Sequence, residues 1–486
     1  MPAQAELTQP GTACQPAARR HRPVLLVAVA AFAFAIAAGA YGYDLLGHPL
    51  HVMLPWFDLH VYNDAGHIAR QAPASLYSWQ LQPGIRFTYP PFAALVFAGA
   101  SMLPWPVLSW LMTGISLAAI PAVAWLTFGA LGWSGRSRAA ATLGLSAVAL
   151  WTEPVLRALH LGQIELVLML LIVWDLCQPD RRWWKGAGVG LAAGIKLVPL
   201  IFIPYLVLAG RLRQAAAAAI AFAITTVIGF VFLPRASASW WLTGYFLHPG
   251  KVGAVDALVN QSPLGLLARA ADTLAAATPL WLAVSVVIGA LGLGAAALLY
   301  RSGRPAQGWA ACALTGLLVS PVSWDHHWVW ILPILAMLAD LAVRARGAAR
   351  WGYWALTAML AMIFGGWPGL WTGPMTGIPT RGLLGGLSSQ GELRLYGRHG
   401  SAHHLHGLQL ISWNLYVLAG LVLFALMLGL AWRSRRQGGP AAAGGRPAGD
   451  SGRPTLDIRL ADWRAADRRT AGQLAEIRAS QYGPER

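Results

Sequence analysis

The chain has 486 residues, 56% of them hydrophobic and only 11% charged, with a mean hydropathy of +0.51. A soluble domain carries about 25% charged residues, so the composition excludes an ordinary soluble enzyme, a disordered chain, a collagen-like repeat and a disulfide scaffold. The formal charge of +17 would suggest nucleic acid in a soluble protein, but here its distribution along the chain carries the information.

Residues 1–23 are polar and carry Arg19, Arg20 and Arg22 directly before an apolar run from Val24 to Tyr43. We read that run as a first transmembrane helix with a cytoplasmic N-terminus. Further apolar runs lie at 91–128, 140–153, 163–177, 186–197, 198–210, 214–233, 279–299, 306–322, 328–343, 351–366 and 410–432. Basic clusters separate alternate runs: Arg136 and Arg138, Arg181 with Arg182 and Lys185, Arg211 and Arg213, Arg301 and Arg304, Arg344 with Arg346 and Arg350, and Arg433 with Arg435 and Arg436. The positive-inside rule puts these clusters in the cytoplasm. Both termini are then inside, and about twelve crossings is the simplest even count.

Two places resist a simple count. The run 91–128 is too long for one helix and is broken at Pro104 and Pro106, whereas 186–197 and 198–210 are too short for two full spans. Broken helices are tolerated where they are buried in protein or line a polar cavity. The expected fold is an all-α polytopic membrane protein with its membrane domain at 24–432. Outer loops are expected at 44–90, 234–278 and 367–409, followed by a cytoplasmic, mostly disordered basic tail at 433–486. Cys14, Cys177 and Cys312 have no motif spacing.

On this topology every histidine except His21 falls on or near the outer face, together with nine of the 19 acidic residues. The site is therefore expected there. In the first outer loop Asp58 and Tyr62 are four apart, on one helical face, and a carboxylate at the membrane boundary is costly unless used or paired. The segment SPVSWDHHWVW (320–330) puts Asp325, His326 and His327 between two spans, where imidazoles can bind phosphate or share a proton. Gln163 and Glu165 enter a span from outside. Lys196 stands inside GLAAGIKLVPL, where an ammonium either snorkels or meets an anion. Asn260 and Gln261 offer amides suited to sugar hydroxyls, or to capping a helix. The tract His399 to His406 reads as a hydrated loop rather than a metal site, and no nucleotide–metal signature is present at a plausible position.

Seven blocks then occur in a family's order: DLHVYNDAG (58–66), LYSW, FTYPPFAAL (87–95), LGQIELVLMLLIVWD (161–175), GLAAGIKLVPLIF (190–202), NQSPLG (260–265) and LVSPVSWDHHWVWILP (318–333). In these the chain resembles the actinobacterial polyprenol-phosphate-mannose-dependent α-(1→2)-mannosyltransferases, glycosyltransferase family 87 of the GT-C superfamily. The resemblance covers about residues 50–345 and implies a GT-C-type fold in the plasma membrane with its active site facing outward. The donor it implies is polyprenyl-phosphate-mannose. The acceptor is a mannosylated glycolipid (lipomannan, lipoarabinomannan or a phosphatidylinositol mannoside), and the configuration is inverted.

The resemblance further implies Asp58 as catalytic base, with Asp64 as runner-up. Lys196, His326 and His327 are expected to meet the donor phosphate, and Tyr62, Gln163, Glu165, Asn260, Gln261 and Asp325 to position the sugars. The scheme needs no metal or cofactor, and the only partners it implies are donor, acceptor and bilayer, without nucleic acid. An arabinofuranosyl or other lipid-phosphate-sugar transferase is the nearest alternative reading. A lipid or sugar transporter is the alternative of a different class; it is disfavoured because no inverted repeat is evident.

Overall fold

The computed structural model describes residues 26–39, 56–81, 85–247, 253–271, 273–365 and 407–437. These residues are all-α and contain no strand beyond two isolated bridges, Asn260 with Trp324 and Thr152 with Gly365. Apart from two short α-helical turns, Pro234–Ser237 and Gly407–Ser412, the α-helices in chain order are α1 (Leu26–Gly39), α2 (Phe57–Gln71), α3 (Pro91–Ala100), α4 (Trp105–Ala130), α5 (Gly135–Ala149), α6 (Glu153–Leu161), α7 (Glu165–Leu176) and α8 (Ala187–Ile195). There follow α9 (Phe202–Leu208), α10 (Leu212–Phe232), α11 (Pro263–Ala270), α12 (Leu274–Arg301), α13 (Pro305–Val319), α14 (Ile331–Arg344), α15 (Gly347–Phe364) and α16 (Leu415–Gln437).

Five helical segments are long and apolar enough to cross a membrane: α4, α10, α12, the stretch Asp325–Arg344 that ends in α14, and α16. Helices α6 and α7 form an apolar pair bent by 113°, the geometry of a broken span or a re-entrant loop. Other apolar runs of the described residues break into pieces shorter than a full span. The run 91–128 divides at Pro104 into α3 and α4. The run 186–210 divides into α8, a 3-10 turn Val198–Ile201 and α9. Each break coincides with proline, whose missing N–H and ring clash end a helix.

The long helices are held by local signals as well as by packing. The Ser262 side chain accepts the Gly265 N–H at the start of α11, which has Pro263 in its first turn, and the Thr273 hydroxyl does the same for Ala276 in α12. α12 packs along α13 and α16, α8 against α10, and α14 against α4 and α15. Outward faces carry bare apolar side chains such as Val286, 72% exposed, and Phe232, 66% exposed. Exposed apolar side chains in such number on membrane-length helices fit lipid rather than water. α2 lies across α3 so closely that a Cβ on Gly66 would come 2.3 Å from the Phe97 carbonyl oxygen. This approach brings the first-loop helix down onto the bundle.

Candidate active site

Trp56 precedes α2 and is, among the described residues, the sole non-glycine at positive φ (60°, with ψ 38°). That conformation costs about 1–2 kcal/mol. Two bonds hold it: the Trp56 N–H donates to the His160 carbonyl at 2.8 Å, and its indole N–H to Thr113 Oγ1 at 2.9 Å. The start of α2 is thereby fixed against α6 and α4. Asp58 falls in the first turn of α2, where the helix dipole favours negative charge.

The second element of the site is the elbow between α6 and α7. Gly162 makes it at φ 69°, and a Cβ there would sit 2.8 Å from Leu59 of α2. Glycine is required on both counts. The elbow presents Gln163 to Asp58, and Gln163 Nε2 donates to Asp58 Oδ2 at 2.6 Å. On its other side Gln163 Oε1 accepts from the Tyr62 hydroxyl at 2.5 Å and from the Tyr89 hydroxyl at 3.3 Å, the two hydroxyls being 2.7 Å apart. Tyr62 also stacks on Phe97 at 4.4 Å. Burial raises the Asp58 pKa above the ordinary carboxylate value; the nearby His326 and the Gln163 hydrogen bond oppose this without overcoming it.

Across from Asp58 is a group of opposite character. Lys196 sits in extended conformation (φ −143°, ψ 131°) at the break after α8. Its ammonium pairs with Glu165 at the start of α7 and reaches His327 Nε2 at 3.0 Å. An ammonium has no lone pair, so Nε2 of His327 accepts and a neutral ring carries its proton on Nδ1. The same ammonium lies 5.3 Å from the centroid of the Tyr89 ring. Glu165 Oε1 is 3.4 Å from His327 Nε2 and 3.8 Å from His326 Nε2. His326 Nδ1 is 3.2 Å from Asp325 Oδ1, and the Asp325 carboxylate forms an ion pair with Arg157, Oδ2 lying 2.8 Å from Nε. Glu165, His326 and His327 offer ligand atoms within 4.8 Å of one another, a donor set for a cation. The Lys196 ammonium already pairs with Glu165 in that space.

One cavity of about 790 Å³ joins both groups. Asp58, Tyr62, Gln163, Lys196, Asp325, His326 and His327 all line it. Arg86, Tyr89, Arg157, Trp240 and Trp281 line it too, and none of these five was singled out from the sequence. Arg157 had a signal, a lone arginine in the apolar stretch EPVLRALHL. Tyr89 was visible only as part of FTYPPF. The indole N–H groups of Trp240 and Trp281 are buried without a hydrogen-bond acceptor among the described residues. The lining also includes the apolar side chains of Val198, Ile201, Phe246 and Leu247.

Asn260 and Gln261, expected at the sugar, do not line the cavity. Both are fully buried, and their side chains are spent on backbone. Asn260 Nδ2 donates to the carbonyls of Val255 (2.7 Å) and Pro321 (3.3 Å), while Oδ1 accepts from the Ser323 N–H at 2.9 Å. Gln261 ties the carbonyls of Leu258 and Trp413, each at 2.7 Å, to the Tyr416 N–H at 3.1 Å. The pair clamps the segment carrying Asp325 onto α16. Asp64, the runner-up base, is half-buried near His60 and His67 and is not part of the cavity wall. The stretch His399 to His406 lies outside the described residues.

Residues 87–321 match the model of glycosyltransferase family 87. A polyprenol-phosphate-mannose-dependent alpha-(1-2)-phosphatidylinositol pentamannoside mannosyltransferase of Mycobacterium tuberculosis is 34% identical over 309 residues, covering 62% of this chain and 70% of that protein. A polyprenol-phosphate-mannose-dependent alpha-(1-2)-phosphatidylinositol mannoside mannosyltransferase of the same species is 35% identical over 275 residues, 54% of this chain and 64% of that protein. A pentamannoside enzyme of Mycolicibacterium smegmatis is 34% identical over 318 residues, 62% of this chain and 74% of its own length. No solved structure matches. With an apolar helical bundle and these relatives together, the chain belongs to glycosyltransferase family 87 and is a membrane glycosyltransferase.

Proposed function

We propose that the protein transfers mannose from polyprenyl-phosphate-mannose to the 2-hydroxyl of a mannoside acceptor of the phosphatidylinositol-mannoside or lipomannan type. The reaction takes place on the outer face of the plasma membrane. The names of the relatives support donor and linkage. The observation that carries the reading is that a buried carboxyl, Asp58, and the Lys196 ammonium with its histidine neighbours line one cavity that also has a large apolar wall, Val198, Ile201, Phe246 and Leu247 among it. A lipid-linked sugar phosphate has that sequence of chemistries: hydroxyls, then phosphate, then isoprene.

In the reaction Asp58 takes the proton of the acceptor hydroxyl as its oxygen forms a bond to the anomeric carbon. The bond from that carbon to the phosphate oxygen breaks through an oxocarbenium-like transition state, and its electron pair leaves on the phosphate. Inversion follows, because acceptor and phosphate occupy opposite faces of the sugar. Lys196, His326 and His327 meet the charge that grows on the departing phosphate. Gln163, Tyr62 and Tyr89 hold the base in place. Val198, Ile201, Phe246 and Leu247 are offered to the first isoprene units. Asp325 acts through the Arg157 ion pair that fixes His326. The reaction belongs to the membrane domain at 24–432, with 433–486 as its cytoplasmic tail.

The test is a membrane assay with radiolabelled polyprenyl-phosphate-mannose and a synthetic mannoside, with linkage analysis of the product. An α-(1→2)-linked mannoside is expected. Transfer from polyprenyl-phosphate-arabinose instead would correct the donor, and use of neither donor would overturn the reading.

A further inference from the structure

A second cavity of about 550 Å³ lies at the other end of the same helices. α13 contributes Gly316 and Val319 to the first cavity and Pro305 and Gln307 to the second. The segment Asp325–Arg344 contributes Asp325 to the first and Arg344 to the second. A helix of this length separates its ends by about 20 Å, so the second cavity has no share in the proposed transfer. It falls within the size range of about 300–1,000 Å³ that accommodates small ligands.

Its lining is basic: Arg304, Arg344, Arg346 and Arg433 face a single carboxylate, Asp340. That carboxylate is already engaged. Asp340 Oδ1 accepts from Arg344 Nε at 2.6 Å and from the Trp133 indole at 2.7 Å, while Arg344 also donates to the Leu131 carbonyl at 2.9 Å. Arg304, Arg346 and Arg433 have no ion-pair partner among the described residues. Three like charges around one concavity repel unless an anion sits among them. The surroundings are amphipathic, with Leu341, Leu430 and Tyr353 in the wall. Trp351 and Trp432 nearby are largely exposed, and Arg436 lies over the Trp432 ring at 3.7 Å. Exposed tryptophans with arginines at the ends of spanning helices mark the membrane–water boundary.

We infer that this cavity is a headgroup site for an anionic phospholipid, whose phosphate diester is held by Arg304, Arg346 and Arg433 while its acyl chains run into the bilayer beside α14 and α16. Basic pockets between transmembrane helices suit such headgroups. Free inorganic phosphate shares the anion but lacks the chains, so a lipid binds there far more tightly.

The test uses the purified full chain in phosphatidylcholine nanodiscs, titrated with phosphatidylglycerol and read by native mass spectrometry. Wild type retains one phosphatidylglycerol selectively. The variant R304Q/R346Q/R433Q weakens retention roughly 100-fold, at about fivefold per charge. R346Q alone, on a connecting segment where folding is not at stake, weakens it about fivefold. A charge-matched control, R136Q/R181Q/R182Q, removes as much charge outside the cavity and leaves retention within twofold. Unchanged retention in R346Q and the triple variant overturns the inference. So does equal loss in the control, which would indicate mere surface charge, and so does displacement of the lipid by millimolar inorganic phosphate.

Discussion

The two polar walls of the large cavity follow opposite electrostatic plans. On the α2 side the Asp58 carboxyl is held by an amide, Gln163, backed by the hydroxyls of Tyr62 and Tyr89. On the other side ion pairs and imidazoles are interleaved, Arg157 with Asp325 beside His326, and Glu165 with Lys196 beside the neutral His327. The contrast explains how a carboxylate and an ammonium share one cavity without neutralising each other. Had Lys196 paired with Asp58, the carboxylate would be a weaker base. Glu165 takes the ammonium instead, and burial then keeps Asp58 basic.

The largest effect expected from breaking this arrangement is on the charged wall. Asp325→Asn removes the carboxylate from a buried ion pair and should lower unfolding free energy by about 3–5 kcal/mol, measured by denaturation in detergent. Lys196→Ala removes the ammonium proposed to meet the leaving phosphate. Transfer at saturating donor should fall about 10²–10³-fold, and donor affinity should fall with it. A weaker effect is expected outside the cavity. Asn260→Ala leaves buried backbone groups unpaired and should cost about 1–3 kcal/mol of stability, with the KM for acceptor unchanged in the folded fraction. A raised KM there would return Asn260 to the sugar.

The smallest effect is a shift in pH dependence. The proposed base works deprotonated, and its pKa is raised, so transfer should be lost as pH falls at a point above the ordinary carboxylate range. Gln163→Leu deletes a hydrogen bond that favours the charged form and should move that acid limb further up. A rate–pH series on both proteins checks the direction.

Much of this was legible in the sequence because intramembrane polar residues are few and each must be satisfied. The four-residue spacing of Asp58 and Tyr62 does put both onto Gln163. Lys196, next to Pro199 between two short runs, does stand at a helix break with an anion, Glu165. The amides were harder to read. Asn260 and Gln261 look the same in sequence whether they face a sugar or staple two backbones, and only tertiary contacts decide. Arg157 was overlooked because its partner, Asp325, lies 168 positions away. The crossing pattern was also harder to read, because the breaks within 91–128 and 186–210 leave helices too short to be counted as spans by length alone.

The central claim is that Asp58 acts on the acceptor proton and not on donor binding. Donor affinity and single-turnover transfer should therefore be measured on the same preparation of Asp58→Asn, an isosteric change that keeps the first turn of α2. The account predicts donor binding within about threefold of wild type and transfer reduced about 10²–10⁴-fold. Transfer within a few-fold of wild type, or a loss of transfer matched by an equal loss of donor binding, would contradict it.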